Sequence, residues 1–155
     1  MAKKDRKRRE HRRYERACEK IRDENEDLLY EFAIWLIEKG LSETTIERHL
    51  DNIDLYVNYF LLEQEPTRAA DGYGAVGSYL DYWFIRKASA SEWAIRSNAA
   101  SLRKFYGFLV ERELAQPADL AALREEIKHA LPTATARAQR YRDPSITDRA
   151  DVWGL

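Results

Sequence analysis

The side chains able to do covalent or metal chemistry are few in this chain, and their spacing does not serve it. His11, His49 and His129 each lack a cysteine or second histidine at metal-ligand spacing, so neither a metal site nor another cofactor is expected. Gly72, Gly74 and Gly77 spell the dinucleotide fingerprint, in which glycines let a pyrophosphate approach a tight strand-to-helix turn. No strand pattern precedes Gly72 and Gly77 falls inside a helical stretch, so the spelling lacks its context. Cys18 stands among arginines that would favour its thiolate, but no base or resolving cysteine accompanies it. It is expected to be exposed and incidental. Glu125 and Glu126 are expected on a solvated helix face. No enzymatic activity is expected.

Phosphate recognition is better provided for. The whole chain is almost neutral, with 26 basic and 27 acidic residues, but the charge is segregated. Residues 1–20 hold 10 Lys or Arg and 4 Asp or Glu, a net of +6, whereas residues 21–132 carry −8. Arg8, Arg9, Arg12 and Arg13 lie at the centre of this basic arm. Farther along, Arg96, Ala100, Arg103 and Gly107 fall within about 60° of one another on a helix, and Ser97 and Lys104 continue that face. Small and basic residues together let a backbone come near phosphates. A shorter polar row is Thr45, Arg48 and Asn52. Glu47, Asp51 and Glu111 lie close enough to weaken both fields.

These residues need helices to position them. At 155 residues with 45% apolar content, the chain has the size of one domain with tails. The expected architecture is all-α, a compact bundle of about five helices over residues 23–132. A basic helical extension (1–22) precedes it and a flexible tail (133–155) follows. Tyr14, Ala17, Ile21, Leu28, Phe32, Trp35 and Leu36 mark the first helix, which Gly40 stops. Ser42 caps a second helix, about 43–63, with Ile46, Leu50, Ile53, Val57, Phe60 and Leu61 inward. Residues 75–87 read as an aromatic-rich third helix. Ser89 and Glu92 form a capping box opening a fourth, about 90–113. Pro117 begins a fifth, about 118–131, and Pro132 stops it. No run alternates with period two. No apolar stretch approaches the ~20 residues of a membrane span. With a single cysteine and no signal-peptide pattern, a cytoplasmic protein is expected.

Two stretches carry a family resemblance. Gly40-Leu41-Ser42-x-x-Thr45-Ile46-x-x-His49-Leu50-x-x-Ile53 resembles the opening of the core-binding domain of tyrosine recombinases and phage integrases, the SAM-like helical domain before their catalytic domain. Arg96-Ser97-x-x-x-Ser101-Leu102-Arg103-Lys104-Phe105-Tyr106-x-Phe108-Leu109-Val110, followed by Leu114 and Pro117, is similar to that domain's late helix. The resemblance covers roughly residues 25–131. It implies a domain that clamps one side of duplex DNA, with Thr45, Arg48, Arg96, Ser97, Arg103 and Lys104 as contacts. It departs from the pattern at Ala100, where the family has a serine; Ser101 is one position off. The family's catalytic domain, with its His-x-x-Arg box and nucleophilic tyrosine, has no counterpart in the 23 residues after Pro132, so strand cleavage is not expected.

The expectation is therefore a non-catalytic DNA-binding module. The alternative is a helical protein–protein module, such as a regulator that binds a recombinase, using Trp83, Trp93 and the aromatic third helix if these are not spent on core packing. RNA binding by the arginine-rich arm is a third possibility. The oligomeric state is open.

Overall fold

The computed structural model describes residues 1–154, and it is helical throughout, with no strand among the described residues. Six helices account for most of it. They are α1 (Ala2–Glu38), α2 (Glu43–Asn58), α3 (76–88), α4 (Glu92–Glu111), α5 (Pro117–Arg142) and α6 (Arg149–Trp153). Short 3-10 turns occupy Phe60–Leu62 and Ala69–Ala75. No described helix is long and apolar enough to cross a membrane. The chain divides into two units, residues 1–72 and Tyr73 onward.

The N-terminal unit is an α1–α2 hairpin with its following turns. Gly40, at φ +79°, ends α1, and the amides of Gly40 and Leu41 bond back to the carbonyls of Ile37 and Leu36. This left-handed cap is cheap for glycine and satisfies carbonyls that the helix end would leave open. Ser42 then caps α2, its Oγ accepting the Thr45 amide at 3.3 Å. Phe32, Leu36, Ile53, Tyr56 and Val57 are buried. Asn25 is buried with them, and its Nδ2 donates to the Val57 carbonyl (3.1 Å) and Asn58 Oδ1 (2.8 Å).

Two expectations change in this unit. Cys18 is buried, 2% exposed, because helix geometry turns it to the side of Tyr14 and Ile21, beside Leu62. The basic residues around it in sequence point elsewhere. The second helix stops at Asn58 and not near 63. Tyr59 leaves helical geometry (φ −124°, ψ −64°), and the chain tightens into the 3-10 turn Phe60–Leu62, which buries Leu61 and Leu62.

In the C-terminal unit, α3 is a run of α (Val76–Ser78), π (Tyr79–Trp83) and α (Phe84–Ala88) turns. Tyr79 is fully buried, stacks on Phe84 (5.3 Å) and Trp83 (5.7 Å), and donates its hydroxyl to Asn98 Oδ1 at 2.9 Å. Burial pushes its phenol well above the usual tyrosine range. From α4, Ile95, Ala99, Leu102, Phe105, Tyr106, Phe108 and Leu109 enter the core, joined by Leu123 and Ile127 of α5.

The boundaries of this unit also differ from the sequence expectation. Ser89 is left-handed (φ +48°) and closes α3, so it cannot serve as an N-cap, which needs extended backbone. Ser91 is the cap instead, its Oγ accepting the Ala94 amide at 3.1 Å. Pro132 does not stop the fifth helix: α5 continues to Arg142. Ala134, Thr135 and Ala138 are buried and extend the row of Leu123, Ile127 and Ala130. The segment expected as a flexible tail is tied down as well. Arg137 bonds the carbonyls of Asp81 (3.1 Å) and Trp153 (3.2 Å), and Arg140 bonds that of Val152 (2.8 Å).

Candidate nucleic-acid interface

The basic arm is the first part of α1 and not a separate element. Residues 1–13 are all exposed, and they carry eight Lys or Arg against Asp5 and Glu10. Arg6–Glu10 (3.6 Å) and His11–Glu15 (3.0 Å) are exposed pairs one turn apart, which contribute little. Arg8, Arg9, Arg12 and Arg13 enter no ion pair among the described residues. At about 100° per residue, Arg9, Arg12 and Arg13 lie opposite the inward row of Tyr14, Cys18, Ile21 and Asn25. Arg16 and Lys20 complete that outward stripe. These two were not foreseen from the sequence, although the i, i+3, i+4, i+7 repetition of basic residues from Arg9 is a legible signal.

On α2, Arg48 is exposed and Thr45 is half-buried. Thr45 Oγ1 accepts from Ser42 Oγ at 2.9 Å, so this hydroxyl belongs to the helix cap. His49, on the same helix, is buried with a partner and turned away from any solvent-facing site.

The face foreseen on α4 exists as a face. Arg96 and Lys104 are exposed; Ala100, Arg103 and Gly107 are half-buried opposite the core residues of the helix, and half-buried Ser97 lies at the margin of the face, beside buried Phe108 and Ser101. A Cβ placed on Gly107 would meet no atom within 4 Å, so the backbone there is open to close approach. Arg96 is partly neutralised, its guanidinium 3.2 Å from Glu92. Arg103 and Lys104 have no ion-pair partner among the described residues. Ser101 is buried and donates to the Ser97 carbonyl at 3.1 Å, so no hydroxyl replaces the one missing at Ala100.

Arg8, Arg9, Arg12, Arg13, Thr45 and Arg48 thus belong to the N-terminal unit, and Arg96, Ser97, Arg103 and Lys104 to the C-terminal one. Each unit presents its own basic surface. Trp83 is half-buried against Tyr79, but Trp93 is 65% exposed and so escapes core packing.

The acidic pair also separates. Glu125 is exposed, 3.8 Å from His129, whereas Glu126 is half-buried and accepts the Gly77 amide at 3.1 Å. Desolvation raises the Glu126 carboxyl above its usual range, the Gly77 N–H pulls it back, and nearby Asp81 adds to the rise. Gly77 is required for this approach, since a Cβ there would stand 2.7 Å from Glu126 Oε1. No group of three or more His, Cys, Asp or Glu among the described residues is placed to hold a metal ion. Set beside family models, characterised proteins and solved structures, the chain matches none of them.

Proposed function

We propose that this chain is a non-catalytic module that docks on duplex DNA, in the manner of an integrase core-binding domain. The observation that carries it is the set of exposed, unpaired arginines Arg8, Arg9, Arg12 and Arg13 on one continuous helix. From Arg9 to Lys20 the outward stripe spans about 16 Å, roughly five nucleotide steps along one strand. A helix orders the backbone that carries these charges before contact, so only side-chain freedom is lost on binding. The α4 face with Arg103 and Lys104 supplies a second set of phosphate contacts, with Gly107 and Ala100 permitting backbone approach. Exposed Arg48 takes the corresponding role at the start of α2, while Thr45 serves the cap that orients that end of the helix. The Gly40 to Thr45 turn, built as a left-handed cap followed by a serine N-cap, supports the likeness to the core-binding domain.

Binding of this kind is dominated by counterion release and falls steeply with salt. The test is a salt-titrated mobility shift on duplex DNA with the full chain, a deletion of residues 2–13, which removes only exposed positions, and Arg96→Ala/Arg103→Ala. We expect the deletion to reduce the slope of log affinity against log salt by about 3 to 4, and the paired α4 change to reduce it by about 1 to 2. If the α4 change has no effect while the deletion abolishes binding, the core-binding account is wrong and the arm acts alone. A second reading, a protein-docking module, is favoured by the exposure of Trp93 and Tyr82, 65% and 43%, on the C-terminal unit. Absence of DNA binding by any form at low salt selects it.

A further inference from the structure

The outward face of α1 changes sign along its length. Arg9, Arg12, Arg13, Arg16 and Lys20 are followed on the same face by Asp23, Asp27 and Glu31, and all eight are exposed. At about 100° per residue they share an arc of about 100°, opposite buried Cys18, Ile21, Asn25, Phe32 and Leu36. Tyr30, 71% exposed, lies in that arc beyond Asp27.

The arrangement is unfavourable for a helix standing alone. Arg9 and Arg13, Arg12 and Arg16, Arg16 and Lys20, Asp23 and Asp27, and Asp27 and Glu31 are like charges one turn apart, and each such pair destabilises an isolated helix. Interleaving the signs would relieve this locally. Segregating them leaves two blocks that are complementary to each other but meet within one straight helix only at their junction, where Lys20 adjoins Asp23.

We propose that two copies of this chain associate through the outward face of α1, with the two helices antiparallel. That orientation sets the basic half of each copy against the acidic half of the other, whereas a parallel pair would oppose like charges. A register that places Arg16 against Asp23 of the second copy also places Arg12 against Asp27, Lys20 against Glu19 and Arg9 over the Tyr30 ring. The contact is two-fold symmetric and closes at two copies. Residues 9–30 give an overlap of about 33 Å. Because the face is charged and solvated, the association is reversible and sensitive to salt, with exposed charges screened beyond about 8 Å at physiological ionic strength. The proposal is independent of DNA binding and is tested without nucleic acid.

The test is sedimentation equilibrium on the full chain in about 50 mM and about 500 mM salt. The variants are Arg12→Glu/Arg16→Glu, Asp23→Lys/Asp27→Lys, and a chain carrying all four changes. Circular dichroism verifies that each stays helical, which the exposure of these positions favours. We expect the unmodified chain to form a dimer that weakens by about tenfold or more at high salt. Each double variant should be monomeric alone, an equimolar mixture of the two should form a heterodimer, and the fourfold variant should dimerise again. A monomeric unmodified chain at about 0.3 mM in low salt overturns the proposal. So do double variants that dimerise like the unmodified chain, or a mixture that stays monomeric.

Discussion

Glu125 and Glu126 are neighbours in sequence and differ in solvation, because a step of about 100° turns the second toward Gly77 and Asp81. With the Glu126 carboxyl raised in the folded state above its unfolded value, the folded chain binds that proton more readily. Stability therefore increases as pH falls through the raised value and levels off below the ordinary 4.5. Asp81 is raised by burial too and acts in the same direction, with Arg137 opposing it. Glu126→Gln keeps an acceptor for the Gly77 amide and cannot ionise. It should melt a few degrees higher than the parent at pH 7, with the difference vanishing near pH 4, as thermal melts across that range will show. Residue type and helical phase sufficed to place the exposed arginines of the arm and the outward set on α4. They did not reveal that Arg96 meets Glu92, that Thr45 is held in a cap, or that Ser101 is buried.

At the scale of elements, the strongest departure is α5. The sequence predicts a stop at Pro132, since proline removes an amide and crowds the carbonyl four residues back. The helix continues because Ala134, Thr135 and Ala138 bury a face there, and Arg137, Arg140 and Arg142 tie its last turns to Asp81, Val152, Trp153 and Ser89. Alanine and threonine leave almost no hydropathy stripe, so the continuation was hidden in sequence. Because Pro132 lies inside this helix, Pro132→Ala should raise unfolding free energy by about 1 to 3 kcal/mol in urea titrations. A true helix stop would show no gain. The turn after α3 is a related case: Ser89 and Ser91 are equally good caps by type, and only the left-handed backbone at Ser89 decides between them.

For the molecule as a whole, the arm is a helical extension with no buried residue before Cys18. Deleting residues 2–13 should therefore leave the melting temperature within about 1 °C in high salt, while the helical ellipticity falls with the residues lost; a larger drop in melting would mean that the arm packs on the body. The same stripe is offered both to phosphates and to the acidic half of a second copy, so the two occupants compete for it. What the sequence by itself determined was the all-helical class, the basic arm, most helix starts and the outward polar faces, because these follow from local periodicity, capping chemistry and charge count. Tertiary structure alone decided which cap is used, that the last long helix passes its proline, that Cys18 is inside while Trp93 is outside, and that the foreseen contacts belong to two separate units. Those outcomes depend on what each residue meets across a long stretch of chain, where local propensities of about 1 kcal/mol yield to burial and long-range hydrogen bonds.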